Sequence, residues 1–155
     1  MSWITPVTNR TSQDVDNAKT YRTKLQNGDT LTSDEYAVLD KGCITHETLN
    51  RIENNQQVLK TLLNEAGYWS IPIQNKTNWT INDILHEEDW ERIVQNETVL
   101  KNAFYIYTTT PTTPNYILYY TNINDLEKIL LDLNTMIYTM KTYYRECNTF
   151  ECGED

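Results

Sequence analysis

Chemical reactivity in this 155-residue sequence is concentrated in two histidines, three cysteines and a run of acidic residues. His46 is followed by Glu47, but position 50 is asparagine, so the H-E-x-x-H pattern of a zinc hydrolase is incomplete. His86 precedes the acids at 87–89, which suit the positive end of a helix dipole. The sequence has no glycine-rich phosphate loop and no G-x-S-x-G motif. We therefore predict that the protein is not an enzyme, and we expect no metal ion or other cofactor.

The three cysteines do not form a recognised redox or metal-binding motif. Cys147 and Cys152 are close in sequence but are not C-x-x-C, and Cys43 is isolated. In a reducing compartment the default is free thiols. A bridge between Cys147 and Cys152 across a terminal hairpin is the alternative, and the sequence leaves both open.

The charge balance is strongly acidic, with 13 Lys and Arg against 22 Asp and Glu and a formal net charge of −9. Nucleic acids and anionic membrane surfaces both bind basic faces, so we expect neither as a partner. Residues 2–26 are mostly polar and no apolar run of about 20 residues occurs, which argues against a secretion signal and against membrane insertion. The eleven tyrosines favour a role in protein contact, because tyrosine combines rigid apolar area with a polar tip.

The elements that must position any site are helices, and the clearest one spans Thr45 to Tyr68. Thr45 can cap the first turn, and Gly67 can take the left-handed conformation that ends a helix. Between them, apolar residues recur at spacings of three and four, as expected for one buried face. These residues are Leu49, Ile52, Leu59, Leu63 and Ala66.

A pattern from this helix recurs twice along the chain. The second copy begins 41 residues after the first, at Trp90, and a weaker third copy begins at Leu126. The repeat comprises Leu49, Arg51, Ile52, Asn55 and Leu59, then Trp90, Arg92, Ile93, Asn96 and Leu100, then Leu126, Lys128, Ile129 and Asp132. This spacing equals one helix plus a connection, which predicts a short array of related helical units.

A second pattern precedes the helices. Residues 8–15 (TNRTSQDV) and residues 77–84 (TNWTINDI) share T-N-x-T, and both contain the T-x-x-D capping box that opens a helix. Chance similarity between helix starts in a chain rich in Thr and Asn is the alternative explanation. Capping accounts for Thr and Asp, but it does not account for the matched Arg, Asn and Lys of the helices.

We predict a single domain, residues 1–155, of mainly α class: a small helical bundle of about three long helices with two short ones. The predicted segments are an extended arm at 1–10, a helical repeat region at 11–103, an aromatic β-hairpin or arm at 104–120, a long helix at 121–144 and a terminal hairpin at 145–155. The arm carries Trp3 and Ile4, which need a surface on the chain's own core or on a neighbour. The long helix has a heptad seam from Ile123 to Tyr144, which packs either within the bundle or between copies.

Several motifs together resemble a group of small proteins, and domains of larger ones, found with tail genes of bacteriophages and prophages of Gram-positive bacteria. The motifs are Trp3 to Pro6, Asn9 to Val15, Thr45 to Asn55, Lys76 to Ile93 and Asn124 to Asp132, with an ending at Phe150 to Glu154 that is similar to Tyr-x-Gly-Glu tails. The match spans nearly the whole chain. The resemblance implies a virion structural component in the tail tip, baseplate or fibre, with no defined active site to carry over.

We therefore expect a virion structural protein of a phage tail or phage-derived contractile particle, an adaptor or fibre-associated subunit acting by protein–protein assembly. It would be made in the host cytoplasm and become part of an extracellular particle, with copies of itself and other tail or baseplate proteins as partners. The predicted partner-binding residues are Trp3, Ile4, Phe104, Tyr105, Tyr107, Tyr116, Tyr119 and Tyr120. The alternatives are a host-surface or saccharide-binding module of the tail tip, and a cytosolic helical regulatory binding protein.

Overall fold

The fold is built from helices. The computed structural model describes residues 1–116 and 119–147, and the side chains up to Tyr143. The helices in these ranges are α1 (Ser12–Gln26), α2 (Ser33–Gly42), α3 (His46–Glu65), α4 (Glu87–Ala103) and α5 (Tyr120–Cys147). No strand occurs within the same ranges, and the predicted mainly α class is confirmed.

Local sequence signals set the ends of several helices. The Thr11 and Thr32 side chains accept the backbone N–H of the third residue of α1 and α2, and the acid at that position returns the bond to the cap. The Thr45 side chain likewise accepts the backbone N–H of Thr48, the third residue of α3. Gly28 and Gly67, with φ of 85° and 91°, follow α1 and α3 and take the left-handed conformation that stops a helix.

Helices α3, α4 and α5 contact one another and run in the same direction. In α3 and α5, Arg51 lies 3.0 Å from Glu127, and Glu65, 14 residues further along, lies 3.1 Å from Lys141. The second pair lies 14 residues after the first in both helices, so the two helices are parallel.

Helix α4 shares this direction. Glu53 of α3 pairs with Arg92 near the start of α4, while Tyr68, after the end of α3, packs edge-on against Phe104, after the end of α4. All three N-termini therefore lie at one end of the bundle and all three C-terminal ends point the other way.

Parallel helices need long connections. A helix of 20 residues such as α3 is roughly 30 Å long, so the chain must return along the bundle before the next helix begins. Two segments follow this course: strap 2 (residues 73–80) between α3 and α4, and strap 3 (107–115), which includes a turn after Tyr107, between α4 and α5. A further extended segment, strap 1 (3–10), precedes α1 and also lies along the bundle. Hydrogen bonds place strap 1 along α3 and α5, strap 2 along α3 and α4, and strap 3 along α4 and α5.

The core fills the space between the three parallel helices and the straps. Its fully buried side chains come from one face of each helix, and Trp79, Ile71 and Ile73 join them from the connection between α3 and α4. The heptad seam of α5 is buried inside the chain as far as Ile137. These seam residues are Ile123, Leu126, Leu130, Leu133 and Ile137.

Helices α1 and α2 form a separate antiparallel hairpin. They contact each other far more extensively than either contacts the bundle. At their crossing, a Cβ on Gly42 would lie 2.1 Å from the backbone oxygen of Asp14, so glycine is required for this close approach. The ion pairs Lys24–Glu35 and Lys41–Asp14, at 2.6 and 3.1 Å, also join the two helices.

Two segments differ from the prediction. Residues 104–116 contain no strand, so the predicted aromatic hairpin is not confirmed; Ile117 and Leu118 lie outside the described residues. Helix α5 continues to Cys147, so the terminal hairpin predicted to begin at residue 145 is wrong for residues 145–147. The helix continues because this stretch, REC, carries no glycine or proline that would end it. Residues 148–155 lie outside the described ranges.

Candidate functional site: the strap clamps and the aromatic end

Two asparagine side chains hold the backbone of strap 1. The Arg10 N–H donates to Asn124 Oδ1 at 3.1 Å, and Asn124 Nδ2 donates to the Arg10 carbonyl at 2.9 Å. Asn55 brackets Ile4 in the same way, at 2.9 and 2.7 Å. Each asparagine thus satisfies both polar groups of one strap residue. Together with Arg51 and Glu127, these two asparagines form a set that we call clamp 1.

Glu127 is the centre of clamp 1. Its carboxylate, 1% exposed, accepts from Arg10 Nη2 at 2.8 Å and from Arg51 Nη2 at 3.0 Å. It also accepts the backbone N–H of Val7. A buried carboxylate is tolerated when it is paired and hydrogen-bonded, and here two guanidinium groups and a backbone amide meet that requirement.

Strap 2 is held by a matching set, which we call clamp 2: Asn50, Glu53, Arg92 and Asn96. The Trp79 N–H donates to Asn50 Oδ1 at 2.8 Å, and Asn50 Nδ2 donates to the Trp79 carbonyl at 2.9 Å. Asn96 brackets Gln74 at 3.2 and 2.6 Å. Asn50 brackets Trp79, and Asn124 brackets Arg10. Trp79 and Arg10 occupy the same position in the two T-N-x-T patterns.

Glu53 has the place in clamp 2 that Glu127 has in clamp 1. It accepts the Lys76 backbone N–H at 2.6 Å and the Trp79 Nε1–H at 2.8 Å, and it pairs with Arg92. The pKa of Arg92 is raised, chiefly by its hydrogen bond to Glu53. The indole of Trp79 therefore replaces the guanidinium of Arg10 as the strap side chain that donates to the acid.

The two clamps share one design. One helix supplies Asn and Glu three residues apart, and its neighbour supplies Arg and Asn four residues apart. Such spacings place both side chains on one helix face. An asparagine amide matches the donor and acceptor of a peptide group, so each clamp binds main chain and satisfies an extended segment that has no neighbouring strand.

The third groove carries a reduced version. Lys128 and Asp132 occupy the repeat positions of Arg51 and Asn55, but Lys128 pairs with Asp132 on its own helix. Asp132 then accepts from Thr110 Oγ1 at 2.8 Å, while Lys101 Nζ donates to the Pro111 carbonyl at 2.6 Å. Strap 3 is therefore held by single contacts and not by an asparagine bracket in its described part.

A second set of charges links clamp 1 to the α1–α2 hairpin. Asp40 of α2 accepts from Thr48 Oγ1 at 2.9 Å and from Arg51 Nη1 at 3.2 Å, and Thr45 also donates to it. Burial disfavours the charge on Asp40, but the hydrogen bonds of Thr45 and Thr48 and the charge of Arg51 outweigh it, so the pKa of Asp40 is lowered. For Arg51, burial is likewise outweighed by Glu127 and Asp40, and its pKa is raised.

Glu97 is a buried acid with few hydrogen bonds. Its side chain is completely buried; Oε2 accepts from Gln56 Nε2 at a long 3.4 Å, and Oε1 has no protein partner. Burial raises the pKa of Glu97 well above its usual value, and the negative charge of Glu127 adds to this. Glu97 therefore stays neutral to a higher pH than an ordinary carboxylate does.

The C-terminal ends of the three parallel helices carry an aromatic surface. Tyr68 packs against Phe104 at a centroid distance of 5.2 Å, and Phe104 contacts Tyr105 at 5.9 Å. Tyr138 lies across a groove of about 710 Å³ from Tyr68. Trp69, which follows Tyr68, is 77% exposed, and Tyr105 and Tyr138 are similarly exposed at 76% and 74%. We call Tyr68, Trp69, Phe104, Tyr105 and Tyr138 the aromatic end.

The predicted partner-binding residues do not form one patch. Phe104 and Tyr105 belong to the aromatic end, whereas Tyr116 and Tyr119, both exposed, precede α5 near the opposite end. Trp3, the first residue of strap 1, packs against the core and is half-buried, and Ile4 is partly exposed above Asn55. Tyr107 and Tyr120 are half-buried.

Sequence reasoning missed several of these functional candidates. It placed Arg51, Asn55, Arg92 and Asn96 in the repeat but not Asn50, Glu53, Asn124 or Glu127. The signal was available, since Asn and Glu stand three residues apart in both α3 and α5. Trp69 and Tyr138 were missed because they lie outside the hydrophobic run at 104–120.

The residues that suggested chemistry do not converge. His46 stacks edge-on against Tyr36, His86 precedes α4 at the surface, and burial raises the pKa of the Cys43 thiol. Within the described part of the chain, no three His, Cys, Asp or Glu side chains are placed to hold a metal ion. No helix there is both long and apolar enough to cross a membrane.

Comparisons with known proteins give no identification: no protein family, curated protein or solved structure matches this chain. The resemblance to phage tail proteins stays a prediction.

Proposed function

We propose that the protein is a structural subunit of a phage tail or of a phage-derived contractile particle, and that it acts by protein–protein assembly. The observation that carries this proposal is the aromatic end, where Trp69, Tyr105 and Tyr138 are each about three-quarters exposed. Large exposed aromatic side chains are unusual on a surface that meets only water, and they are the residues that anchor protein interfaces.

The clamped bundle supports the same function. Both clamps fix an extended strap to two helices through buried ion pairs and bracketing asparagines. An interface gains affinity when its anchors stand on a body that does not have to be ordered on binding. Phe104 directly follows α4, and the Tyr68 N–H donates to the Leu63 carbonyl of α3 at 2.9 Å, so the aromatic end is held by the ends of those helices.

Incorporation into particles tests this proposal. Mass spectrometry of purified particles should find this chain in stoichiometric amount with tail proteins. The double variant Trp69→Ser, Tyr105→Ser should be lost from particles, while the matched variant Tyr116→Ser, Tyr119→Ser, at the other end of the bundle, should be retained. Equal retention of both variants, each with wild-type helical content, would remove the aromatic end from the proposal.

One observation favours saccharide binding as a second candidate. The groove between Tyr68 and Tyr138 is also lined by Glu65, Lys141 and Thr142, so an aromatic face stands beside polar side chains. Sugar rings stack on aromatic faces and bond to such neighbours. Binding of the purified protein to intact host cell walls, lost on Tyr138→Ala and retained on Tyr143→Ala, would favour this candidate over assembly.

A further inference from the structure

The α3–α5 groove recognises strap 1 mainly through its backbone. Asn55 and Asn124 bracket the peptide groups of Ile4 and Arg10, and Glu127 accepts the Val7 N–H, so these contacts depend little on the side chains of the strap. Side-chain contacts are added by Arg10, which donates to Glu127, and by Trp3, which packs against the core. Strap 1 continues at its C-terminal end into α1, whereas strap 2 lies between α3 and α4.

Strap 1 and the α1–α2 hairpin form one unit, residues 1–42. Thr11 both ends the strap and caps α1, and the two helices are joined by their own ion pairs and by the close approach at Gly42. The hairpin meets the bundle at few points, chiefly through Asp40 and through the ring contact of Tyr36 with His46. A groove of about 280 Å³ separates the remaining apolar faces of hairpin and bundle.

The covalent link between this unit and the bundle is short and extended. Residues 43–45 join α2 to α3, and both Cys43 (φ −128°, ψ 160°) and Thr45 (φ −107°, ψ 169°) have extended backbones. Ile44 between them is exposed. A short connection of this kind is the element that opens when identical parts are exchanged between copies.

We propose that residues 1–42 exchange between copies of this chain, so that strap 1 of one copy fills the α3–α5 groove of a second copy. The contacts of strap 1 with clamp 1, and those of Asp40 with Thr48 and Arg51, are then remade between two chains, because the same atoms meet in either case. Residues 43–45 then cross from one copy to the other. This inference deepens the proposed assembly function by naming a second copy as partner, and its test uses the purified protein alone.

A disulfide cross-link distinguishes strap 1 bound in the groove of a second copy from strap 1 bound in the groove of its own chain. Asn54 Nδ2 donates to the Ser2 carbonyl at 2.8 Å, so residues 2 and 54 are adjacent when strap 1 is in its groove. The full chain would carry Ser2→Cys and Asn54→Cys, with Cys43, Cys147 and Cys152 replaced by Ser. Chains labelled with ¹⁴N and ¹⁵N are mixed and incubated, then oxidised. The control is the same background with Ser2→Cys alone.

Exchange predicts disulfide-linked dimers in the double variant but not in the control, with linked peptides that combine one ¹⁴N and one ¹⁵N chain. Linked peptides of a single isotope alone, at every protein concentration, would overturn the proposal. If the disulfide variant does not fold, changes in residues 43–45, which we call the hinge, give a second test. Light scattering then measures the dimer fraction. Deletion of Ile44 should raise the dimer fraction at least tenfold, and insertion of two glycines after Ile44 should lower it. Equal monomer fractions in both hinge variants would also overturn the proposal.

Discussion

Replacing Glu97 with glutamine should stabilise the protein at neutral pH. Glu97 is completely buried, one of its oxygens has no partner, and burial raises its pKa well above the ordinary 4.5. The folded protein therefore keeps this proton to a higher pH than the unfolded chain, which releases it above about pH 4.5. Glutamine has nearly the same shape but acquires no charge on unfolding. The variant therefore does not lose stability through proton release as the pH rises.

The size of the effect follows from proton linkage. Because the folded pKa lies above the unfolded pKa, the stability due to protonated Glu97 is complete below pH 4.5 and declines as the pH rises towards the folded value. One proton released on unfolding changes the free energy of unfolding by about 1.4 kcal/mol per pH unit. The advantage of Glu97→Gln over wild type should grow at that rate from pH 4.5 and level off at the folded pKa.

Urea unfolding followed by circular dichroism, at a series of pH values from 4.5 to 8, measures this difference. Any constant effect of the buried amide cancels, because only the change with pH is compared. Glu91→Gln is the matched control, since Glu91 lies on the same helix and is exposed. A variant-minus-wild-type difference that stays flat over this range would refute the argument that Glu97 is neutral in the folded protein.

Three further predictions concern the clamps and the hairpin. Glu127→Gln should destabilise the fold by about 3–5 kcal/mol in urea unfolding, because it leaves buried guanidinium charge uncompensated; a loss below 1 kcal/mol would contradict this. Asn55→Ala and Asn96→Ala each remove a backbone bracket and should each lower stability by about 1–3 kcal/mol; a loss confined to one of them would contradict the equivalence of the clamps. Gly42→Ala should lower the melting temperature more than Gly28→Ser, because only at Gly42 does a Cβ meet backbone of the facing helix; similar losses would contradict the close approach.

The helices and their starts were predictable because their determinants are local. The T-x-x-D box at Thr11 needs only residues within one turn, and it caps α1 as predicted. The T-x-x-D box at Thr80 closes only a turn, and α4 begins later, at Glu87. The apolar stripe of α3 also depends on one helix alone. Such signals say where a helix lies and which face it buries, but not the direction of its neighbour.

An extended arm at residues 1–10 was predicted, but the parallel arrangement of the helices and the attachment of the straps were not, because they depend on contacts between residues far apart in sequence. Asn124 meets Arg10 across 114 positions, and Asn55 meets Ile4 across 51. An asparagine in a helix usually faces water, so its type alone does not reveal that it brackets a backbone. The polar side chains that decide the topology were therefore the hardest features to predict from the sequence.

The clamps explain how such an arrangement is stable at all. Three parallel helices require the chain to return twice along the bundle, and an extended return segment against a core leaves backbone N–H and C=O groups without strand partners. Clamps 1 and 2 supply those partners from the helices themselves, with Glu127 and Glu53 each joining a strap to an arginine of the adjacent helix. Helix α3 carries Glu53 two residues after Arg51, whereas α4 carries Val94 two residues after Arg92. In the third groove, therefore, no acid reaches strap 3 from that position of α4. The stability of the fold therefore rests unevenly on its grooves, and Glu127→Gln should weaken it more than loss of Asp132 does.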